Sequence, residues 1–256
     1  MKKATKRNAA HGSGGAASVD TVDAAASNAA GNKPGRPGGA RSRARILASA
    51  GKLFAARGFN GVSTRELARA ANVNLGAINY HFGGKRALYH ETVCRLIDDI
   101  GPLFGPIIGR LREGVADAAG DPVALSRCAA CFVESMFVAV LGEQRIHWQM
   151  AFLLREFHQP SREFPMLLAE RINPMHDAVS VLVAAALGRK PDAPEVLIRA
   201  QGVIGQIMSF GAGRNVVCAR LHWSDYTRQR IADIASVMIP SILASLGLPE
   251  PAGESA

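Results

Sequence analysis

Aromatic side chains are scarce in this chain, with 10 Phe, 3 Tyr and 2 Trp among 256 residues. Alanine and leucine are plentiful, and no segment alternates apolar and polar residues at the period of a strand. Together these exclude a sheet-based core and point to an all-α fold. The ~20 uninterrupted apolar residues of a membrane span are also missing, so no membrane segment is expected. Lys2, Lys3, Lys6 and Arg7 open the chain without an apolar run behind them, so no secretory signal is expected. The protein is expected to stay in the cytoplasm, where its thiols remain reduced. No nucleophile–base pair, carboxylate dyad or phosphate-cradling glycine loop is present, and His147, His158 and His176 have no ligand spacing. No catalytic residue, metal or cofactor is therefore expected.

Acids are nearly absent from the first 90 residues, which carry 15 Lys and Arg against Asp20, Asp23 and Glu66. The remainder carries 15 against 18. A basic front and a near-neutral rear are the electrostatic footprint of a nucleic-acid-binding module joined to something else. Cysteines are few: Cys94, Cys128, Cys131 and Cys218. Cys128-Ala129-Ala130-Cys131 has C-x-x-C spacing, which invites a redox or zinc reading, but no second pair or nearby His closes a tetrahedral site. It lies in an apolar helical pattern, and buried reduced cysteines are the expectation.

Residues 63–82 hold the most specific signal. Ser63 followed by Glu66 is a capping box at the start of a short helix whose buried side is Leu67, Ala68 and Ala71. A polar turn at Asn72 follows, and Asn74 is a good N-cap for a second helix. In that helix Ile78 and Phe82 share one face, while Gly76, Ala77, Asn79, Tyr80 and His81 leave the other face free. Ahead of this pair, Ile46, Leu47, Ala50, Leu53 and Phe54 form one apolar stripe that stops at Gly58-Phe59. Three short helices of this kind are a helix-turn-helix unit that sets its last helix in the major groove of DNA.

At this point the chain resembles the TetR family of bacterial one-component regulators. The matching residues are Ile46, Ala50, Leu53, Phe54, Gly58, Thr64, Leu67, Ala68, Ala71, Val73, Tyr80, His81, Phe82, Lys85 and Leu88. Ala77–Phe82, the run Phe152–Phe157 followed by Pro160, Ser161 and Phe164, and the run Gln201–Gln206 resemble the CecR-type branch, whose members are repressors linked to drug sensitivity and efflux. The resemblance implies a homodimer on a palindromic double-stranded operator. It implies phosphate contacts from Ser63, Thr64 and Arg65, with Arg65 extending toward a base. Leu75, Gly76, Ala77 and Asn79 would face base edges, Tyr80, His81 and Lys85 would hold phosphates, and the cap residue Asn74 counts with them as DNA-binding. Many members carry an aromatic where this chain has Asn79, which points to a different base preference.

Residues 1–40, rich in Ala, Gly, Ser and Asn, are expected to form a disordered basic arm. Its Gly35-Arg36-Pro37 resembles minor-groove arms, with a plain solvated tail as the alternative. Arg36, Arg41 and Arg43 are its candidate DNA contacts, and Arg41, Arg43 and Arg45 crowd a helix start where phosphates would suit them. The DNA-binding domain is placed at 41–100 and a helical effector and dimerisation domain at 101–250. A long helix should start at Lys85 and kink or break at Gly101-Pro102 and Gly105-Pro106. Helices are expected near 123–141, 144–157, 161–187, 193–213 and 226–246, capped by Ser161 and stopped by Gly188 and Gly247. The resemblance assigns dimer pairing to the last two helices, for which Gly202, Gly205, Ile231, Ile234, Met238 and Ile242 are suited.

Trp148, Gln149, Phe152, Arg155, Gln201, Gln206, Met208 and Phe210 are polar or bulky groups on apolar helices, the mixture a small-molecule pocket needs. A second reading has Arg155 and Glu156 satisfying a neighbouring helix and the aromatics filling the core. The leading expectation is a dimeric repressor released by a small-molecule effector. The alternatives are an effector-independent activator or architectural protein, and an enzyme with a nucleic-acid-binding head.

Overall fold

The structure is a computed structural model that describes residues 37–142 and 147–250, and among these every regular element is a helix. α1 spans Pro37–Arg57, α2 Thr64–Ala70, α3 Leu75–Phe82 and α4 Lys85–Ala118. α5 is Pro122–Gly142 and α6 His147–His158. α7, Phe164–Leu167, runs through a π turn at Leu168–Ile172 into α8, Asn173–Leu187. α9 is Pro194–Ala212, α10 Arg214–Arg220 and α11 Arg228–Ser245. α1 begins inside the stretch expected as a tail, because proline's fixed φ and missing amide suit the first helical position. Arg36 and the rest of the arm lie outside the described residues.

Periodicity becomes packing in two apolar clusters. α1 contributes Ile46, Ala50 and Phe54 to the first, α2 Leu67 and Ala68, α3 Ile78 and Phe82, and α4 Leu88, Val93 and Leu96. The head does not close this cluster alone. Phe152 and Leu153 of α6 and Leu167 of α7 complete it, with Phe152 only 1% exposed. The second cluster centres on α5, which packs against α4, α8, α9 and α11. α5 is long and apolar enough to pass for a membrane span, yet Phe132, Val133, Met136 and Phe137 are buried inside the bundle. Ser126, Arg127, Glu134 and Ser135 interrupt its apolar run, and the fold uses it as a core helix.

α4 joins the two clusters. Its 34 residues reach about 50 Å at 1.5 Å per residue, with Leu88 to Leu96 in the head and Ile107 to Val115 in the bundle. Of the kink or break expected at its prolines, the break does not occur: the helix runs through Pro102 and Pro106. Both are exposed, so water can take the carbonyls of Asp98 and Pro102 that lose their helical donors. On the inner side Arg171 crosses over Gly101 and donates to the Ile97 carbonyl at 2.9 Å. Pro240 likewise sits inside α11 without ending it.

A polar joint fastens α6 to the head. The Arg155 guanidinium donates to the carbonyls of Ala55 (3.0 Å) and Ala56 (2.7 Å), the last turn of α1, whose end is set by Gly58 at φ 71°. Beside it the buried Glu156 carboxylate accepts from the Tyr89 hydroxyl (2.5 Å) and from the Ser161 amide (3.1 Å) and hydroxyl (2.9 Å). Burial and then that carboxylate push the Tyr89 phenol well above its usual range, so it stays protonated as the donor. Ser161, expected as a helix cap, is committed to Glu156, and α7 starts three residues later.

Two further expectations are corrected. Ile231, Ile234 and Ile242 face α5 inside their own chain, 5%, 5% and 0% exposed, rather than outward for a partner. Cys131 is exposed and Cys128 only half-buried; the Cys128 thiol lies against Gly114 and points at the Leu111 carbonyl at 3.6 Å.

Candidate nucleic-acid interface

The helix-turn-helix is held from three sides. At the entry to α2, the Glu66 amide donates to Ser63 Oγ (3.2 Å), and the Ser63 amide donates to Glu66 Oε2 (2.8 Å). Arg57 closes the network on Glu66 Oε1 at 2.7 Å. The Ser63 donors, followed by Arg57, hold the Glu66 carboxyl at about 2, below its ordinary 4.5. A depressed acid stabilises the fold above its unfolded pKa and loses that contribution as pH falls toward the folded one. The stability difference between wild type and Glu66→Gln is therefore expected to be full above about pH 4.5 and to close toward pH 2. Urea unfolding at stepped pH reads it; a gap constant over that window would remove the carboxylate from the cap.

The turn is fixed by Asn72 at φ 50° and by Arg45, which donates to the carbonyls of Ala71 (2.5 Å) and Asn72 (2.7 Å). Arg45 is thus a brace of the turn, not a group standing free for phosphate. Arg43 is similarly engaged, on Glu91 at 2.7 Å and 5.0 Å above the Phe82 ring, while Arg41 is exposed.

α3 starts on Asn74, whose Oδ1 accepts from the Ala77 amide at 2.8 Å. Ile78 and Phe82 anchor it, 0% and 8% exposed. The opposite face is open: Leu75 is 49% exposed and Tyr80 84%, and Gly76 and Asn79 are exposed with them. Ser63, Arg65 and Asn74 are exposed too, whereas Thr64, Ala77, His81 and Lys85 are half-buried. Gly83 ends α3 in the left-handed region at φ 76°, which no β-carbon adopts cheaply. The Lys85 ammonium sits 4.3 Å above the Phe59 ring, with its pKa lowered by partial burial. Arg69 of α2 and Arg86 of α4 are also exposed cations of the head. The basic front segment was the only sequence signal for them, and it does not single them out.

The eight residues read as one effector pocket are not brought together. Trp148 and Phe152 belong to the head cluster, with the Trp148 ring against Gly51. Arg155 caps α1, and Gln149 is buried with its amide on Asp99 Oδ2 at 2.9 Å. Met208 and Phe210 pack on the bundle core, Gln206 is half-buried, and Gln201 faces solvent.

A capped helix pair on a basic head, its second helix anchored by two residues and open on its other face, defines a DNA-binding transcriptional regulator. Residues 46–92 match the model of bacterial regulatory proteins of the tetR family. Residues 130–247 match the C-terminal domain of the HTH-type transcriptional dual regulator CecR. The chain belongs to the TetR family of regulators and is of the CecR type. It is similar to the HTH-type transcriptional dual regulator CecR of Shigella flexneri, 24% identical over 192 residues, covering 75% of this chain and 85% of that one. Among solved structures it is similar to AibR in complex with isovaleryl coenzyme A and operator DNA. The TM-score is 0.53 at 19% identity, over 78% of this chain and 97% of that one. It is also similar to the ketosteroid transcriptional regulator KstR2 of Mycobacterium tuberculosis, with a TM-score of 0.50 at 16% identity, over 80% and 94%. The two structures share the fold.

Proposed function

We propose that this protein is a cytoplasmic homodimeric repressor that reads a palindromic operator through α3 and is released by a small-molecule effector. The observation that carries the reading is the open face of α3, held outward by buried Ile78 and Phe82. In this reading Leu75, Gly76, Ala77 and Asn79 meet base edges, and the Asn79 amide can pair both edges of an adenine. Asn74 at the helix start lies beside them. Ser63, Thr64, Arg65, Tyr80, His81 and Lys85 hold phosphates, with Arg41 beside them as the described part of the arm.

Dimerisation is supported by α9 and α11. The outer side of α9 carries Ile198, 71% exposed, above Gly202 and Gly205, where an added β-carbon would meet nothing. On α11 Val237 is 70% exposed between Ser236 and Ser241. Apolar and small residues on unpartnered helices fit a close helix–helix contact between copies. Effector release is supported by α4, which runs unbroken from Lys85 into the bundle. A shift of that helix would carry the heads away from two successive major grooves about 34–36 Å apart. That AibR is held in one structure with both isovaleryl coenzyme A and operator DNA supports a small-molecule site and a DNA-binding head on one such chain here. The description of the Shigella relative as a dual regulator favours a second reading, in which one operator-bound dimer also activates.

Two variants test the interface. Lys85→Ala is expected to weaken binding to every sequence and to reduce the salt slope by about one unit. Asn79→Ala is expected to relax preference at one position per half-site, by roughly 1–3 kcal/mol. Affinity against salt on operator and scrambled DNA separates them. An unchanged salt slope in Lys85→Ala would take that lysine off the phosphate.

A further inference from the structure

Between the head and α6 lies a cavity of about 430 Å³, a size that suits a small organic molecule. Its walls carry the guanidinium groups of Arg57, Arg86, Arg155 and Arg162 against one carboxylate, Glu163. Arg57 is neutralised by Glu66, and Arg155 is spent on backbone carbonyls and on Gln159. Neither Arg86 nor Arg162 has a carboxylate or carbonyl partner among the described residues; Arg86 rests 5.6 Å from the Phe59 ring centre. The Glu156 carboxylate behind the wall offers them nothing, because Tyr89 and Ser161 already occupy it. The rest of the lining sets the Phe59 and Pro160 rings beside the polar side chains of Asn60, Gln159 and Ser161, with Tyr89 meeting Phe59 edge-on at 82°. Unpaired cations beside aromatic faces select an anion with an apolar body.

We propose that this cavity binds a small organic carboxylate with an apolar body, and that its occupant competes with the α1 carbonyls for Arg155. The carboxylate meets Arg86 and Arg162, which have no carboxylate or carbonyl partner among the described residues, and its body lies against Phe59 and Pro160. Arg155 reaches the same space, so a bound carboxylate offers it a charged acceptor in place of two neutral carbonyls, the stronger of the two pairings. Moving Arg155 removes the cap from the last turn of α1 and frees the end of α6 that carries it. The site thus lies where the head meets the bundle. The binding claim stands by itself; only its consequence for DNA rests on the regulator reading above.

The test uses the full-length chain and three probes at constant ionic strength: 2-naphthoate, its neutral isostere 2-naphthamide, and inorganic phosphate. Calorimetry measures binding directly. Emission of Trp148 in a Trp223→Phe background reports whether the α1–α6 contact moves, since that ring lies against Gly51. Naphthoate is expected to bind saturably, and the amide at least about tenfold more weakly, the equivalent of ~1.4 kcal/mol. The double variant Arg86→Gln, Arg162→Gln, checked for native helicity and melting, is expected to lose naphthoate affinity by a similar factor. No saturable naphthoate binding, equal affinity for the amide, an unaffected double variant, or displacement by equimolar phosphate would each overturn the site. With operator added, linkage requires naphthoate and operator to weaken each other by the same factor. Naphthoate binding that leaves operator affinity and Trp148 emission unchanged would overturn the competition for Arg155 without touching the regulator reading.

Discussion

Phe152→Ala is expected to cost about 3–5 kcal/mol of stability, as removal of a fully buried aromatic ring does. Its ring lies 5.4 Å from that of Tyr89 and 6.4 Å from that of Trp148, in a cluster that α1 to α4 share with Leu153 and Leu167. Against the 5–15 kcal/mol that holds a typical domain together, such a loss leaves little margin. The head should suffer with the bundle, because the cavity opens beneath Phe54 and Tyr89. Phe157, on the same helix but 41% exposed, is the control: Phe157→Ala should change stability by no more than about 0.5 kcal/mol. Urea unfolding followed by circular dichroism compares the two. Equal costs would mean that α6 does not complete the head's core.

Placing a charge on the outer face of α9 or α11 is expected to split the proposed dimer. Ile198→Asp with Val237→Asp changes two side chains that are 71% and 70% exposed in the single chain, so each copy should keep its fold. A charge buried between copies without a partner is costly, and sedimentation should report a monomer. The two heads then bind independently, and operator affinity should fall by about 10²–10⁴-fold, the advantage that linkage of two sites confers. Affinity for an isolated half-site should stay at its wild-type value. A double variant that still sediments as a dimer would move the interface to another face.

Much of this architecture was legible because its signals are local. The stripe Ile46, Ala50 and Phe54, the box of Ser63 and Glu66, the Asn74 cap and the Gly58 and Gly188 stops all work within a few residues of sequence. Each has its expected geometry. What misled were residues whose partner is remote. Arg155 stands out on an apolar helix, but only the fold puts the end of α1, a hundred residues earlier, within its reach. Ile231, Ile234 and Ile242 mark an apolar face without saying whether α5 or a second copy covers it. Pro102 and Pro106 threaten a helix by local rules, and tertiary packing through Arg171 and Gly101 carries α4 past them. α10 was missed because its seven residues, RNVVCAR, are too few to show a helical stripe and none of them is buried.

The sharing of one core between the head and α6–α7 sets an order on synthesis. A chain leaving the ribosome has made all of α1 to α3 by Phe82, yet Phe152, Leu153 and Leu167 are still untranslated. At 5–20 residues per second the helix-turn-helix waits roughly 4–17 s for the side chains that close it. A transcript cut short in that interval yields a module with an open apolar floor, a substrate for proteases instead of a free competitor for the operator.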